Sequence, residues 1–137
     1  EAFDFGYNHG IFAPDEVIRL FPRLEVKWEH KVHERPVCKL PKQKLSGILM
    51  HYTYDSWQQW LDKAGQYTSI WAEDNFSKGK RVGKSAAFTH GIYGFIRAYF
   101  LQLGFLDGWA GLYSSLQHFF YTMLKYWKLY ELQQKNK

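Results

Sequence analysis

The chain has 137 residues, one domain's worth, and 46% of them are hydrophobic, enough to build a core. Aromatic residues reach 20%, which excludes a disordered chain, and the single cysteine, Cys38, excludes an internal disulfide framework or a cysteine-rich zinc site. Lys and Arg number 18 against 13 Asp and Glu, a moderate excess; no basic and apolar leader opens the chain, and no run of about 18 apolar residues predicts a spanning helix.

The first 54 residues are predicted as short extended segments broken by turns. Val17–Phe21 is apolar and partly β-branched, between Pro14 and Pro22. Leu24–Val32 alternates, with Leu24, Val26 and Trp28 on one side and Glu25, Lys27 and Glu29 on the other, and Pro36 is expected to stop that strand. Residues 41–44 form a basic turn, and Leu45–Tyr54 is a further predicted strand. From Asp55 the period changes. Asp55 and Ser56 are N-cap candidates for a helix carrying Trp57, Trp60, Leu61, Ala64, Tyr67 and Trp71, predicted to run to about Phe76 and to end near Lys78–Gly79. Ser77–Lys84 holds four basic residues and two glycines, the composition of a flexible basic loop. A second helix is predicted over Ala86–Leu103 and a turn over Gly104–Gly108. A third helix follows, with Trp109, Tyr113, Leu116, Phe120, Met123, Trp127 and Tyr130 on one seam, a pattern that predicts a packing face. The expected fold class is α+β: a short β-rich N-terminal region, residues 1–54, then three α-helices, residues 55–137.

Charge divides unevenly between these regions. Residues 1–54 carry 8 basic and 7 acidic side chains, and residues 55–137 carry 10 and 6. Basic charge interleaved with aromatics suits an anionic membrane surface or a nucleic acid; an aromatic core with a solvated basic rim is the plainer alternative. No nucleic-acid partner is expected, because a net charge of +5 is modest and carboxylates are interspersed.

Chemistry-bearing residues concentrate in Glu29-His30-Lys31-Val32-His33-Glu34, where imidazole and carboxylate stand together as a metal site or a general base requires. In a regular strand His33 and Glu34 point to opposite faces, so both reach one cleft only if the strand bends; solvated strand-end residues are the alternative. Arg19, a lone cation in an apolar segment, calls for a carboxylate or phosphate partner. His51, beside an apolar run, is a core histidine or a pocket donor. His90 suggests no chemistry, and Cys38 reads as a packing residue. There is no glycine-rich phosphate loop, no G-x-S-x-G, no H-E-x-x-H and no D-x-D.

Several segments taken in order carry a family likeness: Arg19-Leu20-Phe21-Pro22-Arg23, Trp28, Val32-His33-Glu34, Ile48-Leu49-Met50-His51-Tyr52, Tyr67 and Ala72, Gly79-Lys80, Gly104-Phe105-Leu106-Asp107-Gly108 and Lys125-Tyr126-Trp127-Lys128-Leu129. Together they resemble the C-terminal part of bacterial family 2 glycosyltransferases of the lipopolysaccharide-core glucosyltransferase type. The resemblance implies the C-terminal portion of a Rossmann-like nucleotide-sugar transferase fold. The nucleotide sugar and a divalent metal, Mg or Mn, would bind through a separate N-terminal domain bearing D-x-D, so this fragment alone is expected to be inactive. It further implies Glu34 as the base of an inverting transfer, His33 as a metal ligand or diphosphate contact, and Arg19 and Arg23 as diphosphate contacts, with His51 also on the substrate side. The implied acceptor is lipid-linked or a lipopolysaccharide core. The protein would then be cytoplasmic, peripheral on the inner face of the bacterial cytoplasmic membrane, with Lys78, Lys80, Arg81, Lys84, Lys125 and Lys128 meeting anionic headgroups. The alternative from another class is a non-catalytic helical interaction domain that forms a homo-oligomer through the Trp109–Tyr130 seam.

Overall fold

The computed structural model describes residues 9–12, 20, 22, 26–29, 35–37, 39–46 and 56–136, and these are mostly helical. The chain divides into two compact units, residues 15–51 and residues 1–14 with 52–137.

In the smaller unit, β1 (Lys27–Glu29) pairs antiparallel with β2 (Arg35–Val37), with Lys27 opposite Val37, Trp28 opposite Pro36 and Glu29 opposite Arg35. β1 falls inside the predicted Leu24–Val32 strand. Pro36, expected to stop that strand, instead lies within its partner; a two-stranded ribbon is all edge, where a missing N–H is tolerated. Of the predicted strand Leu45–Tyr54, only Leu45 and Ser46 are described, and neither is in a strand; apart from exposed Leu20, Val17–Phe21 lies outside the described residues.

The larger unit is built on three helices. In α1 (Trp57–Ser77), the Ser56 hydroxyl accepts a hydrogen bond from the Gln59 N–H, so the capping role falls to Ser56. The C-terminus closes as the sequence predicts: Gly79 takes φ +81°, its N–H donates to the Phe76 carbonyl, and Lys80 N–H reaches back to Asn75. α2 (Ala86–Ile96) is followed by a π turn over Arg97–Leu101, in which the Gln102 N–H donates to the Arg97 carbonyl at 2.8 Å. The predicted helix thus ends two residues early, and Leu103 takes a left-handed φ of 58°. A 3₁₀ turn over Gly104–Asp107 leads into α3 (Gly108–Lys135). Gly10–Phe12, which the sequence groups with the β-rich region, forms a 3₁₀ turn against α3 and the segments that precede it.

Both α1 and α2 pack on α3 and not on each other. The packing inverts the polarity that the sequence leads one to expect. On α2 the buried positions are Ala87, Gly91 and Gly94, continued by Ala98 in the π turn, while Phe88, Ile92, Tyr93 and Ile96 are exposed. A methyl group on Gly91 would sit 3.1 Å from the Phe119 ring, and one on Gly94 3.1 Å from the His118 ring, so missing side chains let the two backbones approach. On α3 the predicted seam faces largely outward: Trp109 is 85% exposed, and Leu116, Phe120 and Trp127 are exposed too. The packing face is instead Gly111, Ser114, Ser115, Gln117, Thr122, Leu129 and Gln133. The Ser114 and Ser115 hydroxyls donate to the Gly111 carbonyl at 3.0 and 2.7 Å, which removes the cost of burying them. Leu129 is the one large apolar side chain that is fully buried among the described residues. Seam spacing identifies a face; it does not say which of two opposite faces turns inward.

Candidate functional site

The predicted catalytic and substrate residues Glu34, His33, Arg19, Arg23 and His51 lie outside the described residues, as does Cys38. Among the described residues no group of three or more His, Cys, Asp or Glu comes together to hold a metal ion. The chemistry that the structure does display is cationic and aromatic, and it is assembled where α1 and α2 meet α3.

Tyr126 of α3 is the centre of this assembly. The His90 ring of α2 stacks on it at 3.9 Å with the planes 4° apart, and Trp71 of α1 packs against it at 5.1 Å. The Lys80 ammonium lies 4.9 Å from the Trp71 ring centre and 5.1 Å from that of Tyr126, and the Lys125 ammonium lies 4.7 Å from Trp71. Burial holds the Lys125 ammonium below the usual lysine range, and the Lys80 charge pushes in the same direction. His118, further along α3, is held below the ordinary imidazole value by burial first and then by the Lys125 and Arg97 charges. The neighbouring charges that act on Lys125 and His118 are thus cationic and add to the effect of burial.

The six lysines and arginines expected at a membrane surface have different fates. Lys78 is paired with Asp74 at 2.6 Å on the exposed end of α1. Arg81 donates to the Phe76 and Lys80 carbonyls and lies over the Phe76 ring at 4.3 Å, and Lys84 is exposed. Lys125 is half-buried. Lys128 turns inward: its ammonium donates to the Gly65 carbonyl at 2.7 Å, to Thr68 Oγ1 at 2.9 Å and to Ser69 Oγ at 2.8 Å, tying α3 to α1. The basic loop is not free either. The Gln133 side chain accepts from the Val82 N–H at 2.6 Å and donates to the Val82 carbonyl at 2.9 Å, a two-point anchor from 51 residues away that local composition does not reveal. Beside this anchor lies a cavity of about 460 Å³ lined by Phe76, Arg81, Lys84, Tyr130 and Gln133 among others.

At the other end, Asp107 of the G-F-L-D-G segment accepts from the His9 backbone N–H and contacts His9 Nδ1, each at 2.8 Å, with its own side chain 6% exposed. Gly10 N–H donates to the Gln102 carbonyl at 2.9 Å. A methyl group on Gly111 would overlap the Gly104 carbonyl, and one on Gly104 would lie 2.7 Å from the Ala98 carbonyl, so both glycines are demanded by backbone contact. Asp107 was legible as part of a motif; its pairing with His9 joins residues 98 apart and leaves no local trace. The roles of His90 and His118 likewise depend on which helices touch.

Comparison with known proteins gives a likeness over the greater part of the chain. It is 33% identical over 93 residues to an uncharacterized glycosyltransferase of Rickettsia typhi, covering 68% of this chain and 32% of the relative. Similar proteins of the same description occur in Rickettsia prowazekii, 33% identical over 92 residues (67% of this chain, 32% of the relative), and in Rickettsia felis, 32% identical over 93 residues (68% and 33%). The chain is therefore related to glycosyltransferases, and it spans about a third of the length of these relatives. No family model and no solved structure matches it.

Proposed function

We propose that this chain is the acceptor-side, C-terminal portion of an inverting family 2 glycosyltransferase of the lipopolysaccharide-core glucosyltransferase type. The observation that carries the reading is the likeness to glycosyltransferases over a third of their length, joined to the order of the R-L-F-P-R, V-H-E and G-F-L-D-G segments. The nucleotide sugar binds through a Rossmann-like domain elsewhere in the protein; Mg or Mn would be held there with His33 as a further ligand and would supply charge neutralisation for the diphosphate. Glu34 takes the proton of the acceptor hydroxyl as its oxygen attacks the anomeric carbon; the bond from that carbon to the diphosphate oxygen breaks, and the nucleoside diphosphate leaves. Arg19 and Arg23 stabilise the departing charge through charge-assisted hydrogen bonds, and His51 contacts substrate. The acceptor is lipid-linked, and the helical unit holds the enzyme at the inner face of the cytoplasmic membrane, with Lys78, Lys80, Arg81 and Lys84 nearest the headgroups and Lys128 engaged inside the fold.

Glu34→Gln in the full-length enzyme abolishes transfer while leaving the circular dichroism spectrum intact. Turnover close to that of the parent would remove Glu34 as the base. The outward-facing seam on α3 favours a second reading, a non-catalytic interaction domain. That reading requires a stable homo-oligomer of the isolated chain and no loss of transfer in the Glu34 variant.

A further inference from the structure

The helical unit is packed inside out. Its buried faces are mostly glycine, alanine, serine and threonine, with Leu129, Gln117 and Gln133 the larger exceptions on α3. Many large apolar side chains are exposed: Leu101 is 68% exposed and Trp109 85%, Phe88, Ile92 and Tyr93 lie between a half and three-fifths, and Ile96 is 43% exposed. Small residues between helices and large ones outside are the packing solution used in lipid, where close backbone approach replaces the hydrophobic drive. The charge pattern matches. From Asn75 to Tyr130 the only carboxylate is Asp107, which is buried and paired with His9, while Lys84 and Arg97 stand exposed beside the apolar face.

We propose that the outer face of α2, its π turn and the start of α3 inserts into the acyl boundary of an anionic phospholipid bilayer and lies in the membrane plane. The proposal deepens the membrane-surface reading above and rests on it, adding hydrocarbon contact to headgroup attraction. Ala86–Leu101 is about 24 Å long, short of the roughly 30 Å hydrocarbon layer, and no described helix is long and apolar enough to cross a membrane. Amphipathic aromatic anchors such as Tyr93 and Trp109 suit the interface. A second copy of the chain is the poorer occupant. The face carries Lys84 and Arg97 at its margin and no exposed carboxylate between Asn75 and Tyr130, so self-association through it gains no opposite charge from that stretch.

The test uses the full chain with vesicles of phosphatidylglycerol and phosphatidylethanolamine, sedimented at low and at high salt, and with bromine-labelled acyl chains that quench tryptophan fluorescence. The parent protein sediments with the vesicles, keeps a bound fraction at high salt, and is quenched. Ile92→Ser with Ile96→Ser, both at exposed positions that folding tolerates, weakens partitioning roughly a hundredfold, about tenfold per side chain. Lys84→Gln with Arg97→Gln reduces the low-salt enhancement, the basic residues left in the loop keeping the remainder, and leaves the high-salt fraction. Binding fully reversed by salt and free of acyl quenching overturns insertion while leaving headgroup docking, and with it the membrane-surface reading, in place. A parent that ignores vesicles and forms a dimer abolished by the two Ile→Ser substitutions also overturns the proposal, making the face a self-interface.

Discussion

Removing the Lys128 ammonium separates the two roles that sequence and structure assign to it. In Lys128→Met the stem still fills its place against α1, but three hydrogen bonds to Gly65, Thr68 and Ser69 are lost. Each bond involves a charged donor, worth about 1.5–3 kcal/mol, and several kcal/mol of that sum is offset by the ammonium's desolvation in the native state. The orphaned groups lose little more, because the Thr68 and Ser69 hydroxyls also donate to carbonyls of α1. The expected net loss is about 2 kcal/mol, a fall of roughly 8 °C in Tm. Thermal and urea unfolding of the chain measure it, and a double-mutant cycle with Thr68→Val yields a coupling of about 1 kcal/mol. Vesicle binding stays at the parental level. The opposite pattern, unchanged stability with vesicle binding about fivefold weaker, is what a headgroup-contacting lysine produces and would refute the buried role.

Two glycines in helices respond in opposite senses to alanine. Gly111→Ala destabilises the fold by about 3 kcal/mol or more, despite alanine's helix propensity, since its methyl overlaps the Gly104 backbone; Gly65→Ala, with open space around it, stabilises by up to about 1 kcal/mol. Urea midpoints of the two variants decide the matter, and a tolerated Gly111→Ala would contradict the backbone contact. Acid destabilises the helical unit through His118. Its folded pKa is depressed, so the unfolded chain binds the proton more readily; this contribution is complete above the ordinary imidazole pKa of about 6.5 and is lost as pH falls from there through the folded value. Lys125→Met removes one of the causes, so the His118 titration followed by NMR moves up; a stationary value rules out the coupling.

Local chemistry was legible in the sequence wherever it acts within a few residues. Ser56 caps α1 because its hydroxyl reaches Gln59, and Gly79 ends that helix because a left-handed φ suits a residue without a side chain. The three helices follow from a 3.6-residue period, and the sequence places the turn between α2 and α3 at Gly104–Gly108. The relation to glycosyltransferases was likewise legible in the residue order alone. The sense of the packing was decided only by the tertiary structure. A stripe of Trp, Leu and Phe on α3 and a stripe of Gly, Ser and Thr opposite it have the same period, and only the close approach of Gly91, Gly94, Gly104 and Gly111 to neighbouring chain turns the small stripe inward. The same contacts convert Lys128 from a surface charge into a tie between helices, pin the basic loop through Gln133, and pair Asp107 with His9, because hydrogen bonds between residues 51 to 98 apart depend on which surfaces meet and not on neighbours in the chain.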